Sequence, residues 1–435
     1  MSLPRPLVVC VCLIALLVVG CSKSNNSSSS GNGQIRVVNA FFEAPSLNVV
    51  VAGTTLASAL PFQGLTQYAG VNNGTQTSTV TVTGATTPLV NSNLSINGSA
   101  NYTYAIFGPL TAPTTIFALD TFNDPGNGFF SLRVMNTAAG IGPIDVYLTP
   151  PGADLTVAAP TVGNVPYGGA TGFNSVNTGA NFEIRITPSG TKQVIFDSVP
   201  KTFAEHQGYT ILAYSKGSGT LVNVALLNSD GAGTGSIVDN LVAQYKVINA
   251  SLVGSPLNVF VDGNLQLSNI PYAGVSNYQQ TTAGAHAITV QSQATPGATL
   301  LTLNLTLSAA TDTSIALVGP AGALGGVVLL DDNQPPATGS AGVRFVNTSA
   351  AVASVDVFVN FSKQVTGLAM NTASGYVNLT AAALTGTTYE FDFNAAGTTT
   401  PVLKLTGVVL LPGHKYTVYL AGPTATLQGI VTQDE

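Results

Sequence analysis

Four segments of the chain begin with a basic residue, two apolar residues and Asn: Arg36-Val37-Val38-Asn39, Arg133-Val134-Met135-Asn136, Lys246-Val247-Ile248-Asn249 and Arg344-Phe345-Val346-Asn347. Twelve positions after each basic residue comes Asn or Asp followed by Val, at Asn48, Asp145, Asn258 and Asp356. Farther on, Leu60-Pro61-Phe62 leads to Tyr68, Val165-Pro166-Tyr167 to Phe173 and Ile270-Pro271-Tyr272 to Tyr278, while Leu368 and Tyr376 keep the spacing around Ala369. Near each end an apolar run stops at Gly108-Pro109, Lys216-Gly217, Gly319-Pro320 or Gly422-Pro423. A pattern that recurs at such spacing is one structural unit written several times, which excludes a single continuous core.

The unit is β. In Leu257 to Asp262 apolar Leu257, Val259 and Val261 alternate with Asn258, Phe260 and Asp262, as in a strand with one packed face. Short Val, Thr, Ile, Phe and Tyr runs lie between Gly, Pro and Asn clusters. In the second repeat the runs are Leu132 to Thr137, Ile144 to Thr149, Thr171 to Asn174, Phe182 to Thr187, Val194 to Val199, Tyr209 to Ser215 and Leu221 to Leu227. Seven short strands with turn residues between them predict a two-sheet sandwich. The expected fold is all-β: four tandem immunoglobulin-like antiparallel β-sandwich domains over residues 34–128, 129–238, 239–337 and 338–435. The second repeat carries eight extra residues around Pro150-Pro151-Gly152-Ala153-Asp154, read as a surface loop.

Before the repeats, Arg5 precedes a mostly apolar run from Leu7 to Val19, too short to span a bilayer and suited to a signal-peptide core. Val18-Val19-Gly20-Cys21 resembles a bacterial lipobox. The resemblance implies cleavage before Cys21, a diacylglycerol on its thiol and an acylated new amine, so that residues 1–20 form a lipoprotein signal peptide. Residues 21–33 are the lipidated Cys21 followed, from Ser22 to Gly33, by Ser, Asn and Gly with one Lys, a composition that buries nothing and suits a tether with a reach of about 20 Å. Acyl chains at about 0.8 kcal/mol per buried CH₂ hold such a protein on a membrane, and Ser22 in place of Asp favours the outer membrane or cell surface. Cys10 and Cys12 lie in the leader, so no disulfide framework is available.

The repeat motifs, together with Asn258-Val259-Phe260-Val261-Asp262-Gly263 and Ala283-Gly284-Ala285-His286, resemble the bacterial "domain of unknown function 4397" family over nearly everything from Gln34 to Glu435. The resemblance implies about four tandem copies in an exported or surface-attached protein, and since the family has no established activity it supplies no mechanism.

Charged residues make up 7% of the chain and the net charge is -6. With no basic run there is no electrostatic footprint for nucleic acid. The basic residues and their Asn or Asp partners are read as structural, with Arg133 and Asp145, or Arg344 and Asp356, paired across neighbouring antiparallel strands. The Pro segments are read as turns that seat an aromatic over the core. Acidic groups at the repeat ends, Asp120 with Asp124, Asp331-Asp332-Asn333 and Asp434-Glu435, are read as solvated turns rather than Ca²⁺ ligands. His206, His286 and His414 fall in different repeats, and no nucleophile motif accompanies them, so neither enzyme, metal nor cofactor is expected. The expected partners are the membrane, through Cys21, and a protein or glycan ligand. The function read is non-enzymatic display of modules for adhesion or protein binding, with carbohydrate binding, or a structural envelope role without a ligand, as alternatives.

Overall fold

The computed structural model describes residues 31–434 apart from 180, 218, 321, 333, 383 and 384, so the leader and Cys21 lie outside the described residues. Within them the chain is strand and turn, with one short 3-10 turn at Thr424–Thr426. The first repeat has β1 (Gly33–Asn39), β2 (Ser46–Val51), β3 (Thr54–Pro61), β4 (Ala69–Val71), β5 (Gly74–Val82), β6 (Val90–Ile96), β7 (Asn101–Phe107) and β8 (Thr114–Leu119). They form two sheets, ordered β4-β1-β7-β8 and β3-β2-β5-β6. Alternation in β2 sends Leu47, Val49 and Val51 inward to meet Ile35 and Val37 of β1, Val80 of β5 and Tyr104 and Ile106 of β7. The other repeats build the same two sheets around their own cores.

One pairing per sandwich departs from the antiparallel expectation. β1 runs parallel to β7, with Gln34 opposite Asn101 and Asn39 opposite Ile106. The equivalent first strands Phe129–Thr137, Val242–Asn249 and Ser340–Asn347 do the same with Gly208–Ser215, Asp312–Val318 and Lys415–Ala421. The strand carrying the basic motif is therefore a central strand, and it is buried on both faces.

The second face is covered by a neighbouring repeat. Val38, Phe42, Phe62 and Phe107 of the first repeat form one cluster with Met135, Leu212, Tyr214 and Leu227 of the second. Ile248, Ala316 and Val318 of the third likewise meet Val346, Tyr419 and Ile430 of the fourth. The repeats thus pack in two pairs. The Pro segments do make turns, with Gly64, Gly169 and Gly274 donating to the carbonyls of Pro61, Pro166 and Pro271 at 2.8–2.9 Å. Their aromatics, however, reach the neighbouring repeat. Phe62 sits edge-on to Tyr214 at 5.9 Å, Tyr167 edge-on to Phe107 at 5.5 Å, and Tyr272 donates to the Thr426 carbonyl at 3.0 Å. Each of these aromatics follows an edge strand of its sandwich, where the adjacent repeat offers apolar surface to cover it.

Smaller contacts join the pairs. Lys216 meets Asp312 at 2.6 Å between the second and third repeats. His414 Nε2 lies 3.5 Å from Glu43 Oε1, and Thr338 donates to the Thr83 carbonyl at 3.2 Å, between the fourth and first.

The second repeat holds more strand segments than the expected seven. It adds Val162–Val165, Gly169–Ala170 and Gly235–Val238, and the segment expected at Thr171 to Asn174 falls at Asn174–Asn177. These are short edge segments held by backbone pairing, and such strands carry little apolar alternation to read. The eight extra residues do form a surface loop: Val157 is exposed, and Arg185 Nη1 donates to the Ala153 carbonyl at 2.7 Å.

Candidate functional site

The recurrent basic residues meet in two buried networks, one at each paired seam. Arg36, on central strand β1, is fully buried and points away from its own core. Its Nε donates to Thr103 Oγ1 at 2.8 Å, its Nη1 to the Asn228 carbonyl of the second repeat at 2.6 Å, and its Nη2 lies 3.3 Å from Asp120. Arg133, from the second repeat, meets the other oxygen of the same carboxylate and also donates to Thr210 Oγ1 and the Leu119 carbonyl. One acid at the end of the first repeat therefore neutralises a guanidinium from each repeat. Tyr68 covers Arg36 at 5.1 Å and Phe173 covers Arg133 at 4.7 Å. The Tyr68 hydroxyl donates to Asp120 at 2.5 Å, and burial followed by the Asp120 charge pushes the phenol well above its ordinary range.

In the second pair Lys246 Nζ donates to Asp434 at 2.8 Å, and Arg344 Nη2 meets Asp331 at 2.5 Å and Asp434 at 3.4 Å. Tyr278 covers Lys246 and donates to Asp331 at 2.6 Å, while Tyr376 covers Arg344 and donates to Asp434 at 2.8 Å. Burial and the nearby Asp434 raise the Asp331 carboxyl above the usual carboxylate range.

Three expectations are corrected here. Arg133 does not pair with Asp145, nor Arg344 with Asp356, because the strands that carry them lie in different sheets. Asp120, Asp331 and Asp434 are buried counter-ions rather than solvated turns. The repeated aromatics Tyr68, Phe173, Tyr278 and Tyr376 cover cations rather than the apolar core. Asn333 and Glu435 lie outside the described residues. Asp332 pairs with Lys415, and Asp124 accepts from the Gly126 amide at 2.9 Å and contacts His206 at 2.7 Å. Among the described residues no group of three or more His, Cys, Asp or Glu side chains is arranged to hold a metal ion.

The Asn or Asp twelve positions on has a separate task, the same in all four repeats. Asn48 accepts the Ala59 amide at 2.8 Å, Asp145 the Asn164 amide at 2.7 Å, Asn258 the Asn269 amide at 3.0 Å and Asp356 the Gly367 amide at 2.8 Å. Each of the four amides belongs to a residue at positive φ, between 47° and 63°, beside a shift in strand register. The side-chain oxygen clamps a bulge that twists the edge strand. Asp356 is held down to about 2, first by Lys363 and then by the Gly367 and Gly397 amides.

The three imidazoles engage different carboxylates: His206 with Asp124, His286 with Asp262 and His414 with Glu43. Burial opposes protonation of His286, but the Asp262 bond and the Thr282 carbonyl outweigh it and raise its pKa.

A signal for the missed counter-ions was present. Asp120 stands thirteen residues before Arg133 and Asp331 thirteen before Arg344. The natural Phe173 also sets an expectation for Tyr68→Phe: the fold survives, at a cost of about 1.5–3 kcal/mol for a hydrogen bond to a charged group. Urea denaturation of the full chain checks this. A cost near zero would show that the Tyr68 hydroxyl does nothing for Asp120.

A fold of paired sandwiches, in which the repeated charges lock neighbours together, defines a tandem β-sandwich repeat protein. The chain belongs to the family described as "Domain of unknown function (DUF4397)", whose model matches residues 33–147, 243–357 and 341–435. The first two matches run through one whole sandwich into the opening two strands of the next, as tandem copies require. No curated protein matches the chain. Among solved structures it is similar to the crystal structure of CBMbc, of family CBM26, from Eubacterium rectale Amy13K in complex with maltoheptaose, at 11% identity, covering 42% of this chain and 92% of that one, with a TM-score of 0.16.

Proposed function

We propose that the chain is a non-enzymatic cell-envelope lipoprotein, anchored through Cys21 in the outer membrane or at the cell surface, that displays an interlocked body of four sandwiches for adhesion to a protein ligand. The observation that carries this reading is that the side chains repeated in every module hold modules to one another, which makes a stiff body rather than a reaction site. The non-enzymatic half draws support from the separate carboxylate contacts of His206, His286 and His414. The anchored half draws on the lipobox-like Val18-Val19-Gly20-Cys21 and the Ser-rich stretch after it.

Expression of the full chain in a bacterial host supplied with labelled palmitate tests it. The wild type should carry label, partition into detergent and be shaved from intact cells by protease, whereas Cys21→Ala should do none of these. Cells displaying the wild type should attach to a matrix-protein surface several times better than cells expressing Cys21→Ala. An unlabelled wild type, or equal attachment, overturns the reading.

A further inference from the structure

Where the second and third repeats meet, a cleft of about 440 Å³ is lined by Gln63, Asn223, Ile237, Asp239, Leu330 and Asp332, among others. Its size lies in the range of small-ligand sites. Asn223, on strand Val222–Asn228, is only 8% exposed, and its Nδ2 has no hydrogen-bond partner. The Nδ2 is closed to solvent, and a buried amide N–H left without an acceptor costs about 1–3 kcal/mol, so a turn of the side chain toward the cleft, where an outside acceptor can meet it, is favoured. Arg36 Nη2, in the first network, also lacks a hydrogen bond but faces the Asp120 carboxylate at 3.3 Å. Lys216 also lines the cleft, but it is neutralised by Asp312.

We propose that this cleft binds an uncharged polyhydroxylated ligand, a short saccharide unit. The rim decides the ligand's chemistry. Asp239 is exposed there, and Asp332 is half exposed beside its partner Lys415. Carboxylates at the rim repel an anionic ligand, while a cation cannot accept from Asn223. A hydroxyl group does both jobs, accepting from the Asn223 amide and donating to Asp239 or to the Gln63 side-chain oxygen. Ile237 and Leu330, 36% and 65% exposed, supply an aliphatic shelf for the C–H face of a sugar ring. The residues come from three repeats, with Gln63 from the first, Asn223 and Ile237 from the second, and Asp239, Leu330 and Asp332 from the third. The site therefore exists only in the assembled body. It goes beyond the adhesion reading and does not depend on the lipid.

Titration calorimetry of the full chain in detergent, with maltotriose, cellotriose and chitotriose as separate probes and the tripeptide Lys-Lys-Lys as a cationic control, tests the proposal. At least one trisaccharide should bind, and Asn223→Ala and Leu330→Ser should each weaken it by roughly tenfold or more, about 1.4 kcal/mol. The Leu330 side chain is largely exposed, so Leu330→Ser should leave thermal unfolding unchanged and keep the test readable if Asn223→Ala loosens the fold. Silence from all three sugars at millimolar concentration, binding that both variants retain, or binding of the lysine peptide instead overturns the proposal. Palmitate labelling reads Cys21 and calorimetry reads the cleft, so the two readings fail independently.

Discussion

Asp120→Ala is expected to destabilise the first two repeats together, by about 3–5 kcal/mol. The carboxylate lies at the seam between them, with Arg36 on one oxygen and Arg133 on the other, and with Thr103 and Tyr68 donating as well. Removing it leaves two buried guanidiniums facing each other without a counter-ion, and neither can lose its proton to escape the penalty. The loss should be read by segment-resolved hydrogen exchange. Gly33–Asn39 and Phe129–Thr137 should lose protection in parallel, while Ser340–Asn347, whose Arg344 relies on Asp331 and Asp434, should keep it. Lys404→Ala is the control, because Lys404 pairs with Glu390 and Asp392 inside the fourth repeat, away from this seam, and its exposed pair with Glu390 is of the kind worth about 0.2–1 kcal/mol. Loss confined to one of the two repeats would refute the shared network.

The first repeat by itself, residues 31–128, is expected not to fold stably, whereas residues 31–238 are expected to fold. Val38, Ala40, Phe42, Phe62, Ala105, Phe107 and Ile116 form the first repeat's half of the cluster it shares with the second, and cutting at 128 returns them to water. At about 1.5–3 kcal/mol for each larger side chain, the loss is on the order of 10 kcal/mol, comparable to the whole stability of a small domain. The Arg36 contact with the Asn228 carbonyl goes as well. The cut at 238 keeps this seam whole and breaks Lys216 with Asp312, the Glu43 contact with His414 and the bonds that Asn240 makes to the Ile195 and Val222 carbonyls and the Asp197 amide, a smaller loss than the shared apolar cluster. Circular dichroism and thermal melting of the two fragments decide the matter. A cooperative melt from residues 31–128 comparable to that of residues 31–238 would show that the repeats are independent.

The local β pattern could be read from residue order because it depends on near neighbours. Alternation in β2 places Val49 inward whatever lies beyond the sandwich. The clamp by Asn48, Asp145, Asn258 and Asp356 left a trace too, since each precedes the left-handed residue whose amide it accepts by eleven residues, or by nineteen where the eight-residue loop intervenes. What the clamp holds was not readable, because a residue such as Ala59 carries no mark of its positive φ. The cleft left no trace at all, since Gln63, Asn223 and Leu330 lie far apart in the chain and share no spacing.

Residue order alone therefore determined an all-β chain of four related units, and marked the basic, aromatic and acidic positions that matter. Which of them touch was decided only in three dimensions. A central strand buried on both faces must find a counter-ion wherever the adjoining repeat supplies one. For Arg36 and Arg133 that is Asp120, and their pairing depends on how whole sheets pack rather than on any distance counted along the chain.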